Sequence, residues 1–255
     1  MDALWRDTVT AYTRRNLTYP GDKLLALSAV ASELARTRFN DDYLAGFWRH
    51  SLPQQLAWKA TRPRYHRPDV YAAPSWSWAS VQDPVIWDIG DDPHPPINII
   101  DCQLQLTYAY APFGSISGGS LTLQGQMRTA SWFPDRGEVT MSTGRDMLTF
   151  TRDRDALEST KDEGRTHFLG WVSPDTLDAD APRDSLGAVA VHCLRIRNRS
   201  NKKGTRCVFL RPMNDSGVDY QRIAFFEIGD AEYRYDPPVD VDFFKGIKMQ
   251  IVQIF

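Results

Sequence analysis

Between positions 61 and 80 the chain concentrates side chains that could do chemistry. Arg64, Tyr65, His66, Arg67 and Tyr71 are followed by Pro74-Ser75-Trp76-Ser77-Trp78-Ala79-Ser80. An imidazole exchanges protons near neutral pH, so His66 is the candidate general acid/base. Tyr71 and Arg64 stand near it as donors for a carbonyl or an anion. In an extended segment Trp76 and Trp78 project to one face, with Ser75 and Ser77 on the other. Two indoles side by side either fill a seam of the core or form the stacking wall of a pocket for a flat or apolar ligand. In the second case Tyr65 lies at the rim and Arg222 is a further donor. Such a site would suit proton chemistry without metal or nucleotide, such as cyclisation or isomerisation of an apolar metabolite.

A second cluster is basic: Arg195, Arg197, Arg199, Lys202, Lys203, Arg206 and Arg211, with 201–204 reading as a hairpin tip. It could meet phosphates. However, the aromatic residues that stack bases are not interleaved, so a solvated edge that blocks strand pairing is the simpler reading, and nucleic acid is not an expected partner. Glu227 sits in the run AFFEI, where alternation sends Ala224, Phe226 and Ile228 to the core and Glu227 to solvent. The segment 114–119 (GSISGG) lacks the Lys and helix of a phosphate loop, and there is no nucleophile elbow or dinucleotide fingerprint. The five histidines and Cys102, Cys193 and Cys207 show no ligand spacing, so neither metal nor cofactor is expected. The cysteines read as buried hydrophobes in a reducing compartment, with a Cys193–Cys207 bridge as the alternative.

The elements that must position these groups change character near residue 70. Leu4, Thr8, Val9 and Tyr12 mark a first helix that Asp2 could cap, and Asp22 could cap a second with the stripe Leu24, Leu27, Val30, Ala31 and Leu34. A third short helix is expected over Tyr43, Leu44, Phe47 and Trp48, and a fourth piece opens at Leu52-Pro53. Residues 61–68 (TRPRYHRP) form an extended connector. Beyond it the period becomes two: Cys102, Leu104, Leu106, Tyr108 and Tyr110, then Leu121, Leu123 and Met127 after a turn at Gly118-Gly119. Further strands are expected at 168–172, 188–196, 207–211, 222–228 and 247–255, with a solvated charged stretch at 152–165. The expected fold is α+β: a helical segment with connector (1–68) packed on a predominantly antiparallel β-sandwich or barrel (69–255), in one integrated unit.

With 255 residues, 42% hydrophobic and 24% charged, the chain can bury a core, and a net charge of −2 gives no global attraction to DNA or anionic lipid. No apolar run approaches the roughly 18–20 residues of a membrane span, and the first residues lack a signal-peptide pattern, so a cytoplasmic location is expected.

Several segments resemble fungal heterokaryon-incompatibility (HET) proteins. They are Trp5…Tyr12-Thr13-Arg14-Arg15-Asn16-Leu17-Thr18, Asp22-Lys23-Leu24-Leu25-Ala26-Leu27-Ser28, Tyr43-Leu44-Ala45-Gly46-Phe47-Trp48, Leu56-Ala57-Trp58 and the block Arg67-Pro68…Tyr71 to Ser80. Cys207-Val208-Phe209-Leu210-Arg211-Pro212 and the run Tyr220 to Phe226 look similar to their C-terminal strands. The order is that of the region following the HET domain. The HET domain itself is not matched, so its effector activity and residues are not implied. Two functions follow as expectations: a small-molecule-binding protein with cofactor-free catalysis at the aromatic seam, or a non-catalytic interaction module related to HET-type self/non-self recognition. The oligomeric state is not legible.

Overall fold

The structure is a computed structural model that describes residues 1–15, 17, 19–87, 95–142, 147–151, 166–177, 182–198, 204–214, 217–228 and 243–255. The expected loop at 152–165 and the hairpin tip at 201–203 lie outside the described residues.

Helix α1 (Asp2–Thr13) buries Trp5, Val9 and Thr13, a stripe one residue round from the expected one, and Leu4 is left exposed. Its larger indole, not Leu4, takes the core position. Asp2 lies within its first turn and makes no side-chain cap; it ion-pairs with Arg38 instead. Helix α2 (Lys23–Ala35) starts after Asp22 and buries Leu24, Leu27 and Ala31. The expected third helix is instead a two-stranded hairpin, β1 (Tyr43–Leu44) with β2 (Phe47–Trp48). Ala45 and Gly46 both have positive φ (48° and 98°), the requirement of a two-residue hairpin loop and incompatible with a helix. Short α3 (Leu52–Gln55) follows, then β3 (Trp58–Ala60), which pairs with β4 (Val85–Trp87).

The remaining strands form one large, mostly antiparallel sheet: β5 (Ile97–Leu106), β6 (Ile116–Phe133), β7 (Glu138–Ser142), β8 (Met147–Thr151), β9 (Thr166–Pro174), β10 (Val189–Asn198), β11 (Thr205–Pro212), β12 (Asp219–Ile228) and β13 (Met249–Ile254). Gly118-Gly119 is not a turn: both residues lie within β6, opposite Gln105 and Leu104. A Cβ at 119 would stand 2.7 Å from Leu104 Cδ2, so the glycine permits close strand approach. Consequently β5 ends at Leu106, and Tyr108 and Tyr110 stack on each other, exposed, in the connection to β6.

The long strand β6 organises the sheet. Its first half pairs with β5 and β13, and its second half with β10 and β7. From β7 the pairings run to β8, β9, β12, β11 and β10, and β10 pairs again with β6, so the path returns to its start. The strands they share are apolar on both faces. On β10, Val189, Val191 and Cys193 join one core cluster, and Leu194 and Ile196 the other. On β11, Cys207 and Phe209 separate in the same way from Val208 and Leu210. The first cluster lies between the sheet and the N-terminal elements; the second gathers Trp132, Val139, Met141, Phe150, Phe209 and Phe226. Among the described residues no helix is long and apolar enough to cross a membrane.

Candidate functional site

The block around Trp76 and Trp78 is not extended. Ser77 N–H donates to the Pro74 carbonyl at 2.9 Å, and the Ser77 hydroxyl accepts from Ala79 N–H at 3.1 Å, capping a 3-10 turn over Trp78–Ser80. The two indoles therefore leave in different directions, and each is wholly buried. Trp78 donates its N–H to the Gly46 carbonyl at 2.9 Å, and Trp5 donates to the same oxygen at the same distance. The Ser77 hydroxyl donates to the Ala45 carbonyl at 2.6 Å. Three side chains thus hold the β1–β2 loop, whose carbonyls would otherwise be buried without partners. Trp76 stacks on Phe47 with ring centroids 6.0 Å apart, and its carbonyl accepts the Trp58 N–H at 2.9 Å. Among the described residues the Trp76 N–H, itself buried, has no hydrogen-bond partner. The expectation of paired indoles forming an open stacking wall is corrected: in this structure they pack the first core cluster and show no face to solvent.

Arg222, expected as a free donor, is 1% exposed and fully engaged. Its Nε meets Asp175 Oδ2 at 3.1 Å, Nη1 donates to the Leu56 carbonyl at 2.9 Å, and Nη2 to the Trp58 carbonyl at 2.6 Å. The guanidinium also lies 3.6 Å over the Trp58 ring. Burial pulls its pKa down from the usual arginine value, while Asp175 opposes that shift. This ion pair pins the N-terminal elements to β12; a bound ligand would have to displace those contacts.

The other predicted side chains lie on the connector and are exposed. Asp83, almost fully buried, accepts the backbone N–H groups of Arg64 at 2.9 Å and Tyr65 at 3.2 Å, while the Arg64 side chain reaches it at 3.6 Å. Beneath, the buried Lys23 ammonium donates to the Val81 carbonyl, and burial lowers its pKa to about 8 against an opposing pull from Asp83. His66 is exposed to solvent. The Tyr71 phenol is pushed up to about 12 by partial burial, which makes it a poor proton donor at neutral pH. The Tyr65 carbonyl accepts Leu177 N–H at 2.9 Å. Tyr65, Val70, Tyr71 and Leu177 all keep large apolar surface in water. Arg64, Tyr65, His66 and Tyr71 thus share one surface connector, and Trp76, Trp78 and Arg222 are structural neighbours beneath it.

The basic cluster is also committed within the fold. Arg206 ion-pairs with Glu227 at 2.6 Å, Arg195 donates to Gln126 and Asn198 at 2.8 Å, and Arg211 donates to Gln221. Arg197 is buried, and a register shift between Arg195 and Arg197 breaks the expected arginine row. Arg199, Lys202 and Lys203 lie outside the described residues. Glu227 is half-buried between Arg206 and Lys59, whose Nζ stands at 3.2 Å, and is not a simple solvent-facing carboxylate. Its neighbour Phe225 is buried too, because β12 has cores on both faces. All three cysteines are free, and Cys193 and Cys207 are buried in the second cluster, where burial raises the Cys193 thiol well above its ordinary value. Among the described residues no group of His, Cys, Asp and Glu could hold a metal ion.

A feature that sequence reasoning missed is a hollow of about 300 Å3 on the sheet, lined by Thr129, Ser131, Thr140, Ser142 and His192. Alternation along each strand was readable, but the pairing of β6 with both β7 and β10 was not. Comparison of the chain with protein-family models, with curated proteins and with solved structures finds no match.

Proposed function

We propose that this chain is a non-catalytic recognition module, related to the region that follows the HET domain in HET proteins and acting in the cytoplasm. Its contact surface is the connector over 61–71. One observation carries the reading: the indoles of Trp76 and Trp78 and the guanidinium of Arg222, which would have had to form the pocket, are buried within the core, whereas Tyr65, Val70 and Tyr71 remain exposed beside Arg62 and Arg64. Exposed apolar side chains on a rigidly anchored loop are a common signature of partner recognition. The anchoring comes from Asp83 and from Arg67, which donates to the Arg222 carbonyl at 3.1 Å. The partner this surface suits presents an apolar anchor flanked by carboxylates. The ring of strand pairings is read as a closed barrel that acts as the rigid base for this loop.

The test is quantitative affinity purification of the full chain and of a Tyr65→Ser/Val70→Ser/Tyr71→Ser variant. The reading expects a stoichiometric partner with the parent chain and its loss with the folded variant. Equal recovery of the same partner with both would overturn the connector as contact surface.

A further inference from the structure

The outer faces of β6, β7 and β10 meet in a way that the connector does not involve. On β6, Ala130 and Trp132 belong to the second core cluster, so Thr129 and Ser131 point away from it. On β7, Val139 and Met141 are inward and Thr140 and Ser142 outward; on β10, Val189, Val191 and Cys193 are inward and His192 outward. Register brings the outward set together, with Thr129 opposite His192 and Ser131 opposite Thr140. The result is the hollow of about 300 Å3, with Met147 contributing apolar lining.

The chemistry of this lining is specific. Each hydroxyl offers one donor and two acceptor lone pairs, and a neutral imidazole offers one of each. His192 is partly buried, which pushes its pKa below the usual histidine value and keeps it uncharged at neutral pH. Its ring stands edge-on to Tyr220 at 5.1 Å, which fixes its orientation, and among the described residues neither ring nitrogen has a hydrogen-bond partner. Among the described residues the lining holds no Lys, Arg, Asp or Glu, so it offers an anion no permanent cation and a metal ion no carboxylate. A neutral compound with adjacent hydroxyl groups satisfies the same groups, and its C–H face can lie against Met147.

We propose that the outer face of β6, β7 and β10 is a binding site for a neutral polyhydroxylated compound, a sugar or a sugar alcohol, held by Thr129, Ser131, Thr140, Ser142 and His192. The test uses the full chain with isotope-labelled histidine, titrated with glucose, mannose, trehalose and mannitol, and with inorganic phosphate as the charged control. One of the polyols is expected to shift the His192 signal saturably, a pyranose response separating sugars from the linear alcohol, while phosphate gives no saturable shift. Ser131→Ala/Thr140→Ala should weaken that binding at least about tenfold, the loss of two modest hydrogen bonds. Thr129→Ser keeps a hydroxyl and should retain it, providing a folded comparison if the double variant loses stability. The proposal is overturned if none of the polyols shifts His192 saturably, if phosphate binds as well as they do, or if the folded double variant binds like the parent.

Discussion

At the level of single residues, the tryptophan-serine block is best understood as a clamp. The carbonyls of Ala45 and Gly46 accept from Trp5, Ser77 and Trp78, and Gly46 has φ +98° with the space of its Cβ taken by Trp78 Nε1 at 2.5 Å. Gly46→Ala therefore meets both backbone strain and a clash, and should cost about 2–3 kcal/mol, read as a lower denaturation midpoint. Asp175→Ala leaves the Arg222 guanidinium buried without its carboxylate and should cost about 3–5 kcal/mol. Lys23 gives a pH signature. Below pH 8 both folded and unfolded chains hold its proton, so the folded chain carries the full burden of the buried ammonium. Between about 8 and the ordinary value of 10.5 the unfolded chain binds more protons, so stability rises with pH by at most about 3 kcal/mol over that window. Urea midpoints of the parent should climb from pH 7 to about 9.5 relative to Lys23→Met, which lacks this titration; parallel curves would contradict the assignment. The block itself was legible in the sequence, but its purpose was not, because its acceptors lie 32 residues away on a loop that reads equally well as helix.

Among the elements, the hairpin at Tyr43–Trp48 shows the limit of short apolar runs. Six residues span too few turns for a helical period to declare itself, and the tertiary clamp decided the outcome. Gly118 and Gly119 were misread for a related reason: a glycine pair signals a turn in isolation, yet here it makes room for Gln105 and Leu104 across β5–β6. Gly119→Val should push β5 away, accelerating amide exchange across Ile97–Leu106 while leaving β11 and β12 protected. Uniformly unchanged exchange would contradict that role. By contrast β9 to β13 were legible within a few residues, because each is a strongly apolar run bounded by turn formers. The short β7 and β8 carry Thr and Ser among their apolar residues, with Thr149 and Thr151 buried, so they lacked that contrast, and the hollow beside His192 was hidden with them.

Across the whole molecule, the expected large antiparallel sheet and N-terminal helix are present, but the division at residue 68 is crossed by the contacts that matter most. Arg222 on β12 bonds the carbonyls of Leu56 and Trp58, Lys59 bonds Glu227, and the Trp58 N–H bonds the Trp76 carbonyl at 2.9 Å. The two core clusters share β10, β11 and β12. Unfolding should therefore be a single transition, and residues 69–255 expressed alone should fail to give a cooperative melt. None of these contacts needs the connector side chains Tyr65, Val70 and Tyr71, which leaves that surface free for recognition.

The most direct test of that claim is site-specific photo-cross-linking from position 71 in the full chain, with exposed Leu186 as the control position. A recognition surface on the connector predicts a discrete protein adduct from position 71, absent from position 186 and abolished by Arg62→Glu/Arg64→Glu. The same adduct from both positions, or none from position 71, would contradict it.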